Sequence, residues 1–213
     1  IVPTITNTST KGFDPEAVSK LISKNSDSEI EKLIGNKNAK YYSGFDLDLE
    51  EVLEEDKQKY VDFVQKFATK LRENKKTLSV TIHAQEGEND WVGAKGHDME
   101  GLGKYADSIR IMAYDFHNGD SESGPITPIL NLQNTLNFSK TKVAKDKLTI
   151  CLPTYGYDWV ESVGTPYQYE DMVKLVAKEK VTVTRDEESG ELTGTYTKDN
   201  TKHTVWYQDF ESI

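Results

Sequence analysis

Residues 46, 48 and 50 of the chain are Asp, Asp and Glu, and they alternate with Phe45, Leu47 and Leu49. In an extended strand successive side chains point to opposite faces, so the three carboxyls share one face, roughly 6–7 Å from neighbour to neighbour. Acids packed this closely cannot all ionise cheaply, and at least one holds a proton near neutral pH beside an ionised neighbour. General acid catalysis requires that arrangement. A carboxylate row can also bind magnesium or calcium. The plainest alternative is a half-exposed strand with its acids in water, and the following run "EEVLEEDKQK" does have the character of a solvated helix start. Two features argue for an internal row. A strand between helical stretches has little water-facing surface, and the acids fall at the end of their strand, where parallel α/β folds place their sites. The histidines His83, His97, His117 and His203 lack zinc-ligand spacing such as HExxH, which argues against a zinc site, and no cofactor is expected.

The elements that must carry this row alternate along the chain. Strand-like runs are "IVPTIT" (1–6), "YYSGFDLDL" (41–49), "LSVTIHA" (78–84), "SIRIMAYD" (108–115) and "LTICLPTY" (148–155). Asp14 and Pro15 form a helix start, as N-cap and first helical residue. "SDSE" (26–29) reads as a capping box and Gly35 as a helix stop. Tyr60, Phe63, Val64, Phe67, Ala68 and Leu71 fall at helical spacing and predict one apolar face. "NLQNTLNF" (131–138) also reads as helical. This alternation predicts a parallel sheet with helical crossovers, either an open doubly wound sheet or a (β/α)₈ barrel. Strands apolar on one face and chemically equipped on the other suit the barrel. After residue 156 the pattern changes to a helix, "YQYEDMVKLVAKEK" (167–180), and short antiparallel strands, "VTVTRD", "ELTGTYT" and "HTVWYQD".

The 213 residues carry a net charge of −10 and no basic stripe, so nucleic acid and anionic membrane surfaces are poor partners. No apolar run is long enough to span a bilayer. The lone Cys151 sits in an apolar run and reads as a structural thiol. The chain opens directly on a strand-like run with no signal segment, which suggests a mature product or an excerpt of a longer chain.

"SGFDLDLE" (43–50) resembles the DGxDxDxE strand of glycoside hydrolase family 18, the chitinase-like family. "IMAYDFH" (111–117) is similar to that family's MxYD strand. "LPTYGYDW" (152–159), "GPITPI" (124–129) and "VWYQDFESI" (205–213) resemble its bacterial spore and cell-wall peptidoglycan branch. The order and spacing fit across the whole chain. The resemblance implies a (β/α)₈ TIM barrel, incomplete here, with strands three to seven present and a small α+β insertion after the seventh. It divides the chain into partial barrel (1–156), insertion (157–205) and return to the barrel (206–213).

It further implies a retaining, substrate-assisted glycosidase, in which the sugar's own acetamido oxygen attacks the anomeric carbon, an exception to the two-carboxylate scheme. Glu50 would be the general acid and then the base. Asp48 would bind the acetamido N–H, Asp46 would tune Asp48, and Tyr114 would hydrogen-bond the acetamido carbonyl. Met112 would pack under the sugar, Asp115 would contact the reacting region and Tyr155 would line the pocket. Trp91 is either a sugar-stacking platform or a loop anchor. The expected partner is a polysaccharide, peptidoglycan before chitin, met by a monomer in the cell envelope or outside the cell. Two positions depart from the pattern. Ser43 stands where the family has Asp, deepest in the row, and Tyr157 replaces an arginine common in chitinases, which favours the cell-wall branch. A lectin-like protein on the same fold and an unrelated metal-binding barrel are the competing readings.

Overall fold

The computed structural model describes residues 1–23, 26–88 and 91–212. Asn89 and Asp90 of the loop before Trp91, and Ile213 of the expected return segment, lie outside the described residues. The chain divides into two compact units, residues 1–112 with 135–150, and residues 113–134 with 151–213.

Along the chain the first elements are β1 (Thr4–Thr6), the short hairpin β2 (Thr8–Ser9) and β3 (Gly12–Phe13), α1 (Pro15–Leu21), α2 (Ser26–Ile34) and β4 (Gly44–Asp48). Then come α3 (Lys57–Glu73), β5 (Thr77–His83), α4 (Met99–Tyr105), β6 (Ser108–Met112), α5 (Ile129–Lys142) and β7 (Leu148–Cys151). The main sheet has the order β1-β4-β5-β6-β7. β1 with β4, β4 with β5 and β5 with β6 pair in parallel, as strands joined by helical crossovers must. Among the described residues the sheet has five strands and does not close on itself.

Local chemistry accounts for these elements. Asp14 accepts a hydrogen bond from the Ala17 N–H at 2.9 Å, and Pro15 opens α1, where its missing N–H costs nothing. Gly35 follows α2, its N–H donating to the Glu31 carbonyl at 2.8 Å. The predicted apolar stripe of α3 is fully realised, since Tyr60, Phe63, Val64, Phe67, Ala68 and Leu71 are all buried. They pack on the sheet face made by Phe45 and Leu47, Leu78, Val80 and Ile82, and Ile109 and Ile111. The opposite face therefore carries Asp46 and Asp48, Ser79, Thr81 and His83, and Arg110 and Met112.

Several strands are shorter than the sequence predicts. The run 41–49 is strand only over 44–48, because Ala39–Tyr41 forms a 3₁₀ turn with Tyr41 exposed. The run 108–115 ends at Met112, and Asp115 takes a left-handed φ of 59°. The run 148–155 ends at Cys151, ahead of Pro153, and Tyr155 already belongs to another sheet.

The second unit is antiparallel. It comprises β8 (Tyr155–Val160), β9 (Val163–Gln168), α6 (Tyr169–Lys178), β10 (Thr182–Arg185), β11 (Leu192–Lys198) and β12 (Thr201–Tyr207). The sheet order is β10-β11-β12-β8-β9. β11 and β12 are joined by a two-residue turn at Asp199 and Asn200, both at positive φ, the backbone a tight hairpin needs. Met172, Val181, Val205 and Tyr207 form one core, and Ile126, Tyr157 and Trp159 another.

Glu191 is fully buried in this unit. Its carboxyl accepts the backbone N–H groups of Ile126 (2.9 Å) and Thr127 (2.7 Å) and the Gln208 side-chain amide (3.1 Å). Desolvation still raises its pKa above the ordinary carboxylate range. Glu191→Ala leaves two backbone donors in the interior without acceptors. We expect it to cost about 2–4 kcal/mol in denaturant unfolding, with Glu191→Gln, which keeps one acceptor oxygen, costing less.

Candidate active site

The acid row lies on the polar face of the parallel sheet. Register places Thr4 opposite Asp46 and Thr6 opposite Asp48 on one side, and Ser79 opposite Asp46 on the other. Asp46 is buried. It accepts hydrogen bonds from Ser79 Oγ (2.5 Å), Thr81 Oγ1 (3.1 Å) and Thr4 Oγ1 (3.4 Å), and Arg110 Nη1 lies 3.8 Å away. Hydroxyls from both neighbouring strands thus replace its water shell.

Asp48 is treated differently. Its Oδ1 is buried with no hydrogen-bond partner among the described residues. Burial first, and the Asp46 charge second, raise its pKa. The same two acids, after burial, raise the pKa of the fully buried Tyr60 hydroxyl.

Glu50 follows the strand. Its backbone is clamped from both sides by Asn7, whose side chain accepts the Glu50 N–H and donates to the Glu50 carbonyl, each at 2.9 Å. The next residue, Glu51, takes a φ of 55°, so the chain turns sharply once the acid is placed. Glu50 Oε2 lies 3.3 Å from His83 Nε2. Burial pushes the His83 pKa down to about 4, so this ring is neutral at neutral pH. His97 is also neutral, with burial lowering its pKa to about 4, and its Nε2–H donates to the Leu49 carbonyl at 2.9 Å. Trp91, largely exposed, sets its ring edge-on to His83 at 4.8 Å. Met112 is buried and stands opposite His83 in register.

Three other expected residues belong to the second unit. Asp115 Oδ1 accepts the hydroxyls of Tyr155 (2.6 Å) and Tyr157 (3.1 Å), and burial with this carboxylate raises both tyrosine pKa values. Tyr114 packs edge-on against Tyr155, ring centroids 6.3 Å apart. A cleft of about 560 Å³ is lined by Asp115, Tyr155, Tyr157, Pro166, Tyr167, Gln168 and Asp171. Aromatic walls with acceptor oxygens suit sugar rings and their hydroxyls.

Ser43, expected deepest in the row, is instead exposed at the start of β4 and donates to the Ile1 carbonyl at 3.2 Å. Three contributors were not singled out from sequence: Asn7, His83 and Tyr157 as a partner of Asp115. For His83 the signal was present, because Ser79, Thr81 and His83 share the period-two polar face of β5. Among the described residues no group of three His, Cys, Asp or Glu side chains is placed to hold a metal ion, and no helix is long and apolar enough to cross a membrane.

The glycosyl hydrolases family 18 model matches residues 10–213, and the chain belongs to that family. It is 28% identical over 210 residues to the uncharacterized glycosylase YvbX of Bacillus subtilis (strain 168), covering 94% of this chain and 60% of that protein. It is 27% identical over 178 residues to the cortical fragment-lytic enzyme of Bacillus anthracis, covering 78% of this chain and 40% of that protein. The chain thus spans less than two thirds of the length of these relatives. Its fold is shared with the crystal structure of a chitinase from Chromobacterium violaceum, with a TM-score of 0.92, 24% identity and coverage of 98% of this chain and 67% of that one.

Proposed function

We propose that the protein is a retaining, substrate-assisted glycosidase that cleaves β-1,4 bonds beside N-acetylglucosamine-type sugars, with peptidoglycan as the preferred polymer and chitin second. The observation that carries this reading is the graded acid row. Asp46 accepts hydrogen bonds from hydroxyl donors, while Asp48 has a raised pKa and presents a buried Oδ1, unpartnered among the described residues and suited to an amide N–H. The kinship to a cortical fragment-lytic enzyme supports the cell-wall polymer and a place of action in the cell envelope.

The steps follow from these groups. The acetamido carbonyl oxygen attacks the anomeric carbon while the glycosidic bond breaks and Glu50 gives its proton to the leaving oxygen. Asp48 holds the acetamido N–H and offsets the positive charge of the oxazolinium intermediate. Water then attacks the same carbon, Glu50 takes its proton and the acetamido group is released. Asp46 acts on Asp48 through its charge. Tyr114 donates to the acetamido carbonyl, Met112 packs under the sugar, and Asp115, Tyr155 and Trp91 contact substrate. β1, β4, β5, β6 and β7 take the places of the third to seventh strands of a (β/α)₈ barrel. Residues 157–205 take the place of its α+β insertion. The protein works as a monomer.

Incubation with purified peptidoglycan and with chitin oligosaccharides tests the reading. Release of fragments ending in reducing N-acetylglucosamine supports it. Sugar binding without hydrolysis favours a lectin, and activity abolished by a chelator favours metal chemistry.

A further inference from the structure

We propose that His83 is a positioning residue for Glu50: its Nε2–H holds one carboxyl oxygen so that the other is presented to the bond being broken. This rests on the reading of Glu50 as the general acid. The geometry comes from strand β5, whose alternate residues address the acids of the neighbouring segment in turn. Ser79 and Thr81 donate to Asp46, and His83, two residues on, brings Nε2 to 3.3 Å from Glu50 Oε2. Both side chains are largely buried, with 18% and 15% exposed. Nε2 itself is buried and makes no hydrogen bond of good geometry among the described residues, so a polar atom faces the acid without yet being aligned to it. Catalytic hydrogen bonds often tighten only when substrate is bound.

The surroundings fix the ring and its charge. Trp91 stands edge-on at 4.8 Å and the His97 ring lies at 5.8 Å. Among the described residues the titratable groups facing His83 are Glu50, from the turn after β4, and His97, from the segment before α4. His97 has its Nε2–H committed to the Leu49 carbonyl and is itself neutral. Burial keeps His83 neutral as well. A neutral donor is the useful kind here. A full positive charge would strip Glu50 of its proton before reaction, whereas an uncharged N–H stabilises the carboxylate as its charge develops in the transition state.

Two measurements test the proposal. In steady-state hydrolysis, His83→Leu should lower kcat roughly 10- to 100-fold with KM little changed, and His83→Gln, which places an N–H near the same point, should recover most of the loss. Independently of activity, long-range proton–nitrogen NMR of the full chain at pH 6 should show His83 as the neutral Nε2–H tautomer, with Nε2 shifting in Glu50→Gln. Equal loss in the Leu and Gln variants, or wild-type rates in both, would overturn the proposal. So would an imidazolium, a bare Nε2, or an Nε2 unmoved by Glu50→Gln. If the unsubstituted protein hydrolyses neither polymer, the glycosidase reading fails, and the NMR result alone decides whether Nε2 engages Glu50.

Discussion

Glu50→Gln lowers kcat for peptidoglycan or chitin-oligosaccharide hydrolysis by about 10³-fold or more, with KM close to that of the unsubstituted protein. Glutamine keeps the size and the contacts of the side chain but has no proton to give and cannot accept one from water. The loss therefore falls on both chemical steps, and general acid–base catalysis is worth about 10²–10⁴-fold. Binding survives, because the sugar is held by other groups and because Asn7 grips the Glu50 backbone and not its carboxyl. Substitution of the adjacent, exposed Glu51 by Gln serves as the control and leaves kcat unchanged. Steady-state rates on one oligosaccharide, with circular dichroism of each variant, make the comparison.

Asp48→Asn is expected to lower kcat by about 10²-fold and, at the same time, to make the protein more stable at alkaline pH. The rate falls because a neutral amide no longer offsets the positive charge of the intermediate. The stability rises for the reason that Asp48 is costly to ionise. Burial, then the Asp46 charge, lift its folded-state pKa above the unfolded value. The folded state therefore binds the extra proton, and between the two pKa values stability falls as pH rises. The favourable contribution is fully present below the unfolded pKa and is lost as pH climbs through the folded one. Asparagine has no charge to bury, so the variant's Tm exceeds the unsubstituted protein's at pH 8 and the difference closes towards pH 3. Thermal unfolding across that range checks the sign. Equal Tm values at every pH would mean that the row stores no such strain.

Much of this arrangement is legible in the sequence where one physical rule acts alone. The stripe from Tyr60 to Leu71 predicts the buried face of α3 because helix periodicity and burial coincide there. Asp14–Pro15 predicts a helix start because the cap is local chemistry. The alternation from Phe45 to Glu50 separates apolar from acidic faces because strand periodicity is strict. Strand ends were less legible. Tyr41 and Tyr42 carry strand propensity, yet Tyr41 turns out in a 3₁₀ turn, and the run through Tyr114 stops early as Asp115 turns left-handed. Contacts set by parallel register were hidden altogether. His83 is 33 residues beyond Glu50, and nothing local in either segment says that pairing β4 with β5 carries the imidazole to the acid. The clamp from Asn7 spans 43 residues in the same way.

The central claim is that the substrate's own acetamido group is the nucleophile, with Asp48 and Glu50 serving it. The most direct measurement is the anomeric configuration of the first product released from a chitin oligosaccharide or a peptidoglycan glycan strand, followed by proton NMR before mutarotation. Two displacements at one carbon retain configuration, so we expect the β-anomer first and the α-anomer only as the solution equilibrates. An α-anomer appearing first would mean a single displacement by water and would contradict the account.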